Sequence, residues 1–218
     1  MKKLLMFSIA MVFAVGLSRF SFASIVGSPH DFSGFQATGG QICVACHTPH
    51  NAESNAAPLW NHEMSIATYT VYSSPSMQAT VGQPSGSSKL CLSCHDGTVA
   101  IDAFGGNPGS FTFPAQSPNN LGTDLSNDHP ISFTYDDALA VSDGGLYEPT
   151  NTVVTIGSGS QTRTGTISDV MLEGGTELQC QSCHSVHNDF VALDVSSAGK
   201  ILKISIAQST LCLTCHNK

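Results

Sequence analysis

Four short segments of the chain carry the residues most able to do chemistry. Each segment has two cysteines separated by two residues, with a histidine directly after the second cysteine. The members are Cys43, Cys46 and His47; Cys91, Cys94 and His95; Cys180, Cys183 and His184; and Cys212, Cys215 and His216. No cysteine of the sequence lies outside these motifs. A cysteine pair with this spacing suits zinc, a redox dithiol or haem attachment, and a histidine after every pair favours the last of these.

The complete motif indicates covalently attached haem c. Each thiol adds to one vinyl group of the porphyrin, and the two intervening residues let one helical turn present both sulfurs to the same edge of the ring. The histidine that follows then reaches the iron from one face. The sequence therefore predicts four haems, held by all eight cysteines as thioethers, with His47, His95, His184 and His216 as proximal iron ligands. Neither disulfides nor free thiols are expected in the mature protein.

The four motifs alternate between two kinds. The first and third, which we call the A-type motifs, read "CVACHTPHN" and "CQSCHSVHN" and have a second histidine three residues after the first. The second and fourth, the B-type motifs, read "LCLSCH" and "LCLTCH". This order predicts an internal duplication. We expect one compact tetrahaem unit over residues 24–218, with haem-pair modules at about 28–105 and 169–218 and a loop-rich insert at about 106–168.

Five histidines remain as candidates for the distal side of the irons: His30, His50, His62, His129 and His187. His50 and His187 hold the same position in the two A-type motifs. Neither can close the iron of its own motif, because the proximal histidine already occupies one face and three residues cannot carry the chain around a porphyrin. Each is therefore expected to bind the iron of another haem.

Methionine is the competing distal ligand and would raise the reduction potentials. Met64, Met77 and Met171 are available, but none belongs to an attachment motif. We therefore expect two histidines at every iron. Five candidates exceed the four positions by one.

The N-terminus has the layout of a secretory signal peptide over residues 1–23. Lys2 and Lys3 precede an apolar stretch over residues 4–17, and "SFA" forms a small-residue cleavage site. The apolar stretch is shorter than the roughly 20 residues that span a bilayer. The protein is expected to be exported to the periplasm and the outer surface, without a transmembrane segment.

The composition of the remaining 195 residues limits both partners and fold. Residues 1–23 hold three of the eight basic residues and none of the sixteen acidic ones, which leaves a formal charge of −11. Such an acidic chain is unsuited to nucleic acid, whose phosphates require Lys and Arg. Four haems leave about 49 residues for each, so we expect a haem-dominated core, loops and short helices with little regular structure, and one small β-hairpin near 152–167. Short helices are expected at the attachment motifs and at Tyr135–Ala140.

The chain resembles the c-type multihaem cytochromes with doubled motifs. More narrowly, it resembles the exported tetrahaem cytochromes that polymerise into extracellular electron-conducting filaments, or nanowires. The resemblance rests on the paired motifs, on "LWNH" and "NDHPISF", and on the terminal "LCLTCHNK", and it covers most of residues 28–218. It implies two histidines on each haem, haem stacking between subunits, and one distal histidine donated by the adjacent subunit. The expected donor is His50. In a filament it would reach the iron bound by His216, and in a monomer it would instead bind an iron of the nearby haem pair.

The leading hypothesis is electron transfer without enzymatic activity, as the subunit of a homopolymer that serves redox partner proteins or extracellular electron acceptors. One alternative is a monomeric periplasmic electron shuttle. The other is a multihaem reductase in which one haem keeps an open coordination position. The spare histidines suffice to close every iron, which favours a carrier.

Overall fold

The computed structural model describes residues 25–54, 56, 58–195 and 199–218. The predicted signal peptide, residues 1–23, lies outside the described residues. The α-helices are Gly86–His95, Asp137–Asp143, Ile167–Val170, Cys180–Cys183 and Thr210–Cys215, and the 3-10 helices are Phe32–Gly34, Gln36–Thr38 and Ala207–Ser209. The strands are β1 (Phe133–Thr134), β2 (Val153–Ser158), β3 (Gln161–Thr166) and β4 (Glu177–Leu178). The expectation of short helices and many loops is confirmed.

The predicted β-hairpin is confirmed and pairs β2 with β3. Its antiparallel register runs from Val153 opposite Thr166 to Ser158 opposite Gln161, which leaves a two-residue turn. Gly159 opens that turn at φ +62°, a backbone conformation that glycine adopts without a steric penalty. The second small sheet pairs β1 with β4, also antiparallel. It holds the segment before the third attachment motif against the middle of the chain.

The larger apolar core lies around this hairpin. Its buried members are Phe133, Tyr135, Ala140, Ile156, Ile167, Val170, Met171, Leu172, Leu178 and Ile204. Burying each large aliphatic or aromatic side chain contributes about 1.5–3 kcal/mol. Five of the ten lie in the insert at about 106–168, so this segment contributes half of the core. Leu211 and Cys215 pack against the same core, so it also positions the fourth attachment motif.

Small residues let the helices of the second and third motifs pack closely. Ser88 and Ser182 are fully buried there. The backbone N–H of Cys180 donates to Ser88 Oγ at 2.9 Å. Gly86 has φ +49°, a left-handed backbone conformation that favours glycine. The attachment sites of these two motifs consequently lie side by side.

Three of the four attachment motifs are helical, and the first forms a single turn in which His47 N–H donates to Cys43 O at 2.8 Å. Across the described ranges, we find no helix long and apolar enough to cross a membrane.

Candidate haem centres

The two A-type motifs are held by the same backbone bonds to the chain that follows them. In the first, Thr48 N–H donates to Leu59 O at 2.9 Å and Asn61 N–H donates to Cys46 O at 2.9 Å. These two bonds flank an isolated bridge between His47 and Trp60. The returning segment thus forms a clamp along the histidine end of the motif.

The third motif repeats this clamp residue for residue. Ser185 N–H donates to Ile201 O and Lys203 N–H donates to Cys183 O, both at 2.8 Å, around a bridge between His184 and Leu202. Leu59 and Ile201 also share a positive φ, +59° and +48°. The repeat in the sequence is therefore a repeat in the local structure of the A-type motifs.

The same clamp fixes the tautomer of the proximal rings. Nδ1 lies 2.9 Å from Pro58 O in His47 and 2.8 Å from Lys200 O in His184. In the second motif, His95 Nδ1 lies 2.8 Å from Asn119 O. A carbonyl accepts only from an N–H, so each contact places the proton on Nδ1 and leaves the Nε2 lone pair free for a metal. Histidines that bind metals are held in this way as a rule.

Three of the proximal rings face another histidine ring. The centroid distances are 6.1 Å for His47 and His187, 6.1 Å for His95 and His30, and 6.4 Å for His216 and His129. Two imidazoles on opposite faces of one metal ion have centroids about 6.3 Å apart, since each metal–nitrogen bond is about 2 Å and each centroid lies about 1.2 Å beyond. The spacing of all three pairs fits an iron between two histidines.

His30 is the most perturbed of these histidines. Burial lowers its pKa to about 4, helped by the neighbouring His95, His184 and His187. The ring is therefore neutral at pH 7, the form that binds a metal. Its buried Nδ1 has no hydrogen-bond partner among the described residues. Leaving a buried polar atom without a partner costs about 1–3 kcal/mol.

His62 has a different environment from the one expected of an iron ligand. It is 1% exposed, with Nδ1 2.8 Å from Glu63 O and Nε2 3.0 Å from Ala100 O. The repeated clamp aligns His62 with Ile204, which is also buried. His62 thus fills a core position beside Cys94, whose Sγ lies 3.3 Å from Nε2.

His50 and His184 are the two remaining histidines. His50 is exposed. Within the described part of the chain, neither ring makes a contact with another aromatic or histidine ring. His216, to which His50 was assigned from the sequence, already has His129 beside it. The position facing His184 is instead the one that these pairs leave without a histidine.

The eight cysteines form no disulfides. Cysteines of successive motifs affect one another's pKa. Burial, with a smaller effect of Cys46, raises the pKa of Cys94 to about 12. A hydrogen bond between Cys91 and Cys180 raises the pKa of Cys91 and lowers that of Cys180 to about 7. Burial, opposed by Lys203 and reinforced by Cys180 and Cys212, raises the pKa of Cys183 to about 11. Each motif therefore neighbours the next, from the first to the fourth.

Across the described residues, no three His, Cys, Asp or Glu side chains converge to hold a bare metal ion. The recurring arrangement is a pair of histidine rings next to two cysteines, which is the donor set of a haem c. A scan against models of known protein families finds no match for this chain, and a search of curated proteins finds none either.

Proposed function

We propose that the protein is a tetrahaem c-type cytochrome that carries electrons as the subunit of an extracellular filament. The observation that supports it best is the set of three histidine pairs, 6.1–6.4 Å apart, each containing the histidine of a cysteine motif. Each pair joins a histidine that directly follows a cysteine pair to one that does not. Haem supplies a reversible one-electron carrier at each site.

The chain's own residues would hold the ligands at four sites and close three of them. The carbonyls of Pro58, Asn119 and Lys200 fix three proximal rings with Nε2 free. A histidine on the second face leaves a substrate no position on the metal. These sites suit electron transfer without bond making, and the proposal assigns no catalytic residue.

The succession of neighbouring motifs supports a continuous path for electrons. The helices of the second and third motifs pack directly, and Cys180 N–H donates to Ser88 Oγ at 2.9 Å. The haems attached there would lie next to one another. We infer that electrons pass through the haems in the order of their motifs along the chain.

The filament proposal rests on His50 and His184. In the first A-type motif, the ring of His47 is met by His187, which comes from the following repeat. If the next subunit follows the second repeat as the second repeat follows the first, its His50 would meet His184. The distal ligand would then belong to the subunit interface and bring two haem chains into contact.

The mass and spectra of the mature protein test the carrier proposal. We expect a mass equal to the chain without residues 1–23 plus four haems, no thiol that reacts with an alkylating reagent, and a wholly low-spin ferric spectrum in the assembled form. Fewer haems or reactive thiols in fully matured protein would contradict it.

Among the described residues, no histidine ring contacts His184. This favours the reductase as the second candidate function, since an iron left open there could bind substrate. Carbon monoxide separates the two. An assembled carrier should not bind it in the reduced state, whereas a reductase should bind it at one haem in four whether assembled or dissociated. A monomeric shuttle would show no filaments under the electron microscope.

A further inference from the structure

The residue after the second motif is a buried carboxylate. Asp96 directly follows His95 and is 3% exposed. Its Oδ2 accepts from Ser65 Oγ at 2.5 Å and from Tyr69 OH at 2.6 Å. Its Oδ1 accepts from the backbone N–H of Thr98 at 2.7 Å and from Thr98 Oγ1 at 2.8 Å. Four donors around one side chain form a built site for a carboxylate.

All of these partners are neutral. Burial, reinforced by the bond to Asp96, raises the pKa of Tyr69 to about 12, so its hydroxyl keeps its proton and donates. Over the described ranges, no basic side chain lies within 4 Å of Asp96. The hydrogen bonds therefore stabilise a negative charge without cancelling it.

In the other three motifs the residue that directly follows the histidine is uncharged. The residues that follow their histidines are Thr48, Ser185 and Asn217. A charge in the protein interior acts far more strongly than one in water, because the surroundings screen it less. Asp143 also acts on His216 of the fourth motif, but Lys218 Nζ lies 4.0 Å from it, whereas Asp96 has no such partner in the described ranges.

We propose that Asp96 makes the haem of the second motif the lowest-potential haem of the four, and so the last to be reduced. This inference rests on the proposed function. A nearby negative charge stabilises the ferric state, which carries one more positive charge than the ferrous state, and so opposes reduction. Reduction adds one electron from an external reductant at that iron and needs no other reactant. The four sites then differ in potential although their ligands are alike.

A reductive titration with dithionite, followed by haem absorbance, tests the role of Asp96 in the intact holoprotein. In Asp96→Asn, the component reduced last should move to a higher potential while the other three stay in place. Asp124→Asn is the matched control, because this carboxylate is exposed and accepts from Ser126 N–H at 3.1 Å. Water screens its charge, so its removal should move no component.

Tyr69→Phe provides a second variant, in which the expected change of reduction potential has the opposite sign. It removes one donor to Asp96 and leaves the charge less compensated, so the component reduced last should move to a lower potential. A last component that is unmoved in both variants overturns the proposal, and so does one that moves equally in Asp124→Asn. In either case four attached haems and a low-spin spectrum would leave the proposed function standing. A protein without haem would overturn both.

Discussion

The two A-type motifs have the same local structure and different surroundings. Both are clamped by the same backbone bonds, and both present a proximal ring with Nδ1 bound to a carbonyl. Yet the ring of His47 lies 6.1 Å from that of His187, whereas His184 meets no histidine ring among the described residues. The second repeat gives a histidine to the first and receives none from it. If the histidines bind haem as proposed, the difference would leave the iron beside His184 without a second histidine from its own chain.

The same comparison separates the two spare histidines of the first repeat. His50 corresponds to His187, which has a partner ring, and His62 corresponds to the buried Ile204. One is exposed at a ligand position, and the other is buried at a core position. A donated ligand is therefore expected from His50 and not from His62.

The largest effect is expected when one haem is removed, in turn, from each repeat. The two variants test whether the two A-type motifs differ in their distal ligands. Cys180→Ala/Cys183→Ala and Cys43→Ala/Cys46→Ala should each lose one haem of four, by mass. In dissociated subunits, the variant of the third motif should keep three six-coordinate haems that do not bind carbon monoxide. The variant of the first motif should still bind it at one haem, because His184 remains open. Identical behaviour of the two variants would remove the asymmetry on which the filament proposal depends.

Substituting His50 should have the next largest effect, on assembly. His50→Ala should keep four haems and, in dissociated subunits, the spectrum of the wild type, but filaments should be absent or short under the electron microscope. A coordinate bond gives the interface a strength that exposed ion pairs do not, since these contribute about 0–1 kcal/mol. His62→Ala serves as the control within the same repeat and should still polymerise if it folds. Normal filaments from His50→Ala would show that another residue is the donor.

Substituting any one of the three proposed distal histidines that have a partner ring should affect one haem. His187→Ala, His129→Ala and His30→Ala should each turn one more haem high-spin, because each removes one distal ring from a pair at 6.1–6.4 Å. All four haems should stay attached, since attachment depends on the cysteines. Electron paramagnetic resonance counts the high-spin sites. A variant with an unchanged spectrum excludes that residue as a ligand.

The sequence predicts the features that depend on neighbouring residues. The motifs, their alternation and the hairpin around Gly159 all follow from local spacing and turn chemistry. The partners of the rings do not, because His30 and His95 are brought together by packing between distant segments. The clamp carbonyls of Pro58 and Lys200 leave no signal either, since every residue carries a carbonyl oxygen.

The apolar core around the hairpin was missed for a related reason. The insert is rich in residues typical of loops, and its few apolar side chains show no helical period. Ile156 and Ile167 become core residues only when the hairpin folds against residues 133–140 and 170–178. Sequence periodicity detects elements, whereas this core arises from their contacts.

The smallest effect tests whether the turns that end the two A-type motifs are energetically equivalent. Asn51 and Asn188, which end the A-type motifs, have φ of +58° and +60°. Asparagine tolerates this left-handed region, whereas other residues with a Cβ pay about 1–2 kcal/mol there. Asn51→Ala and Asn188→Ala should therefore lower the free energy of unfolding by about 1 kcal/mol each, and the glycine variants should be close to wild type because glycine adopts this region freely. Denaturant unfolding of the holoprotein, with unchanged haem content as the control, measures the four values. The effects of substitutions at independent sites usually add within about 0.5 kcal/mol. A larger difference between the repeats would show that the two turns are alike in geometry but not in energy.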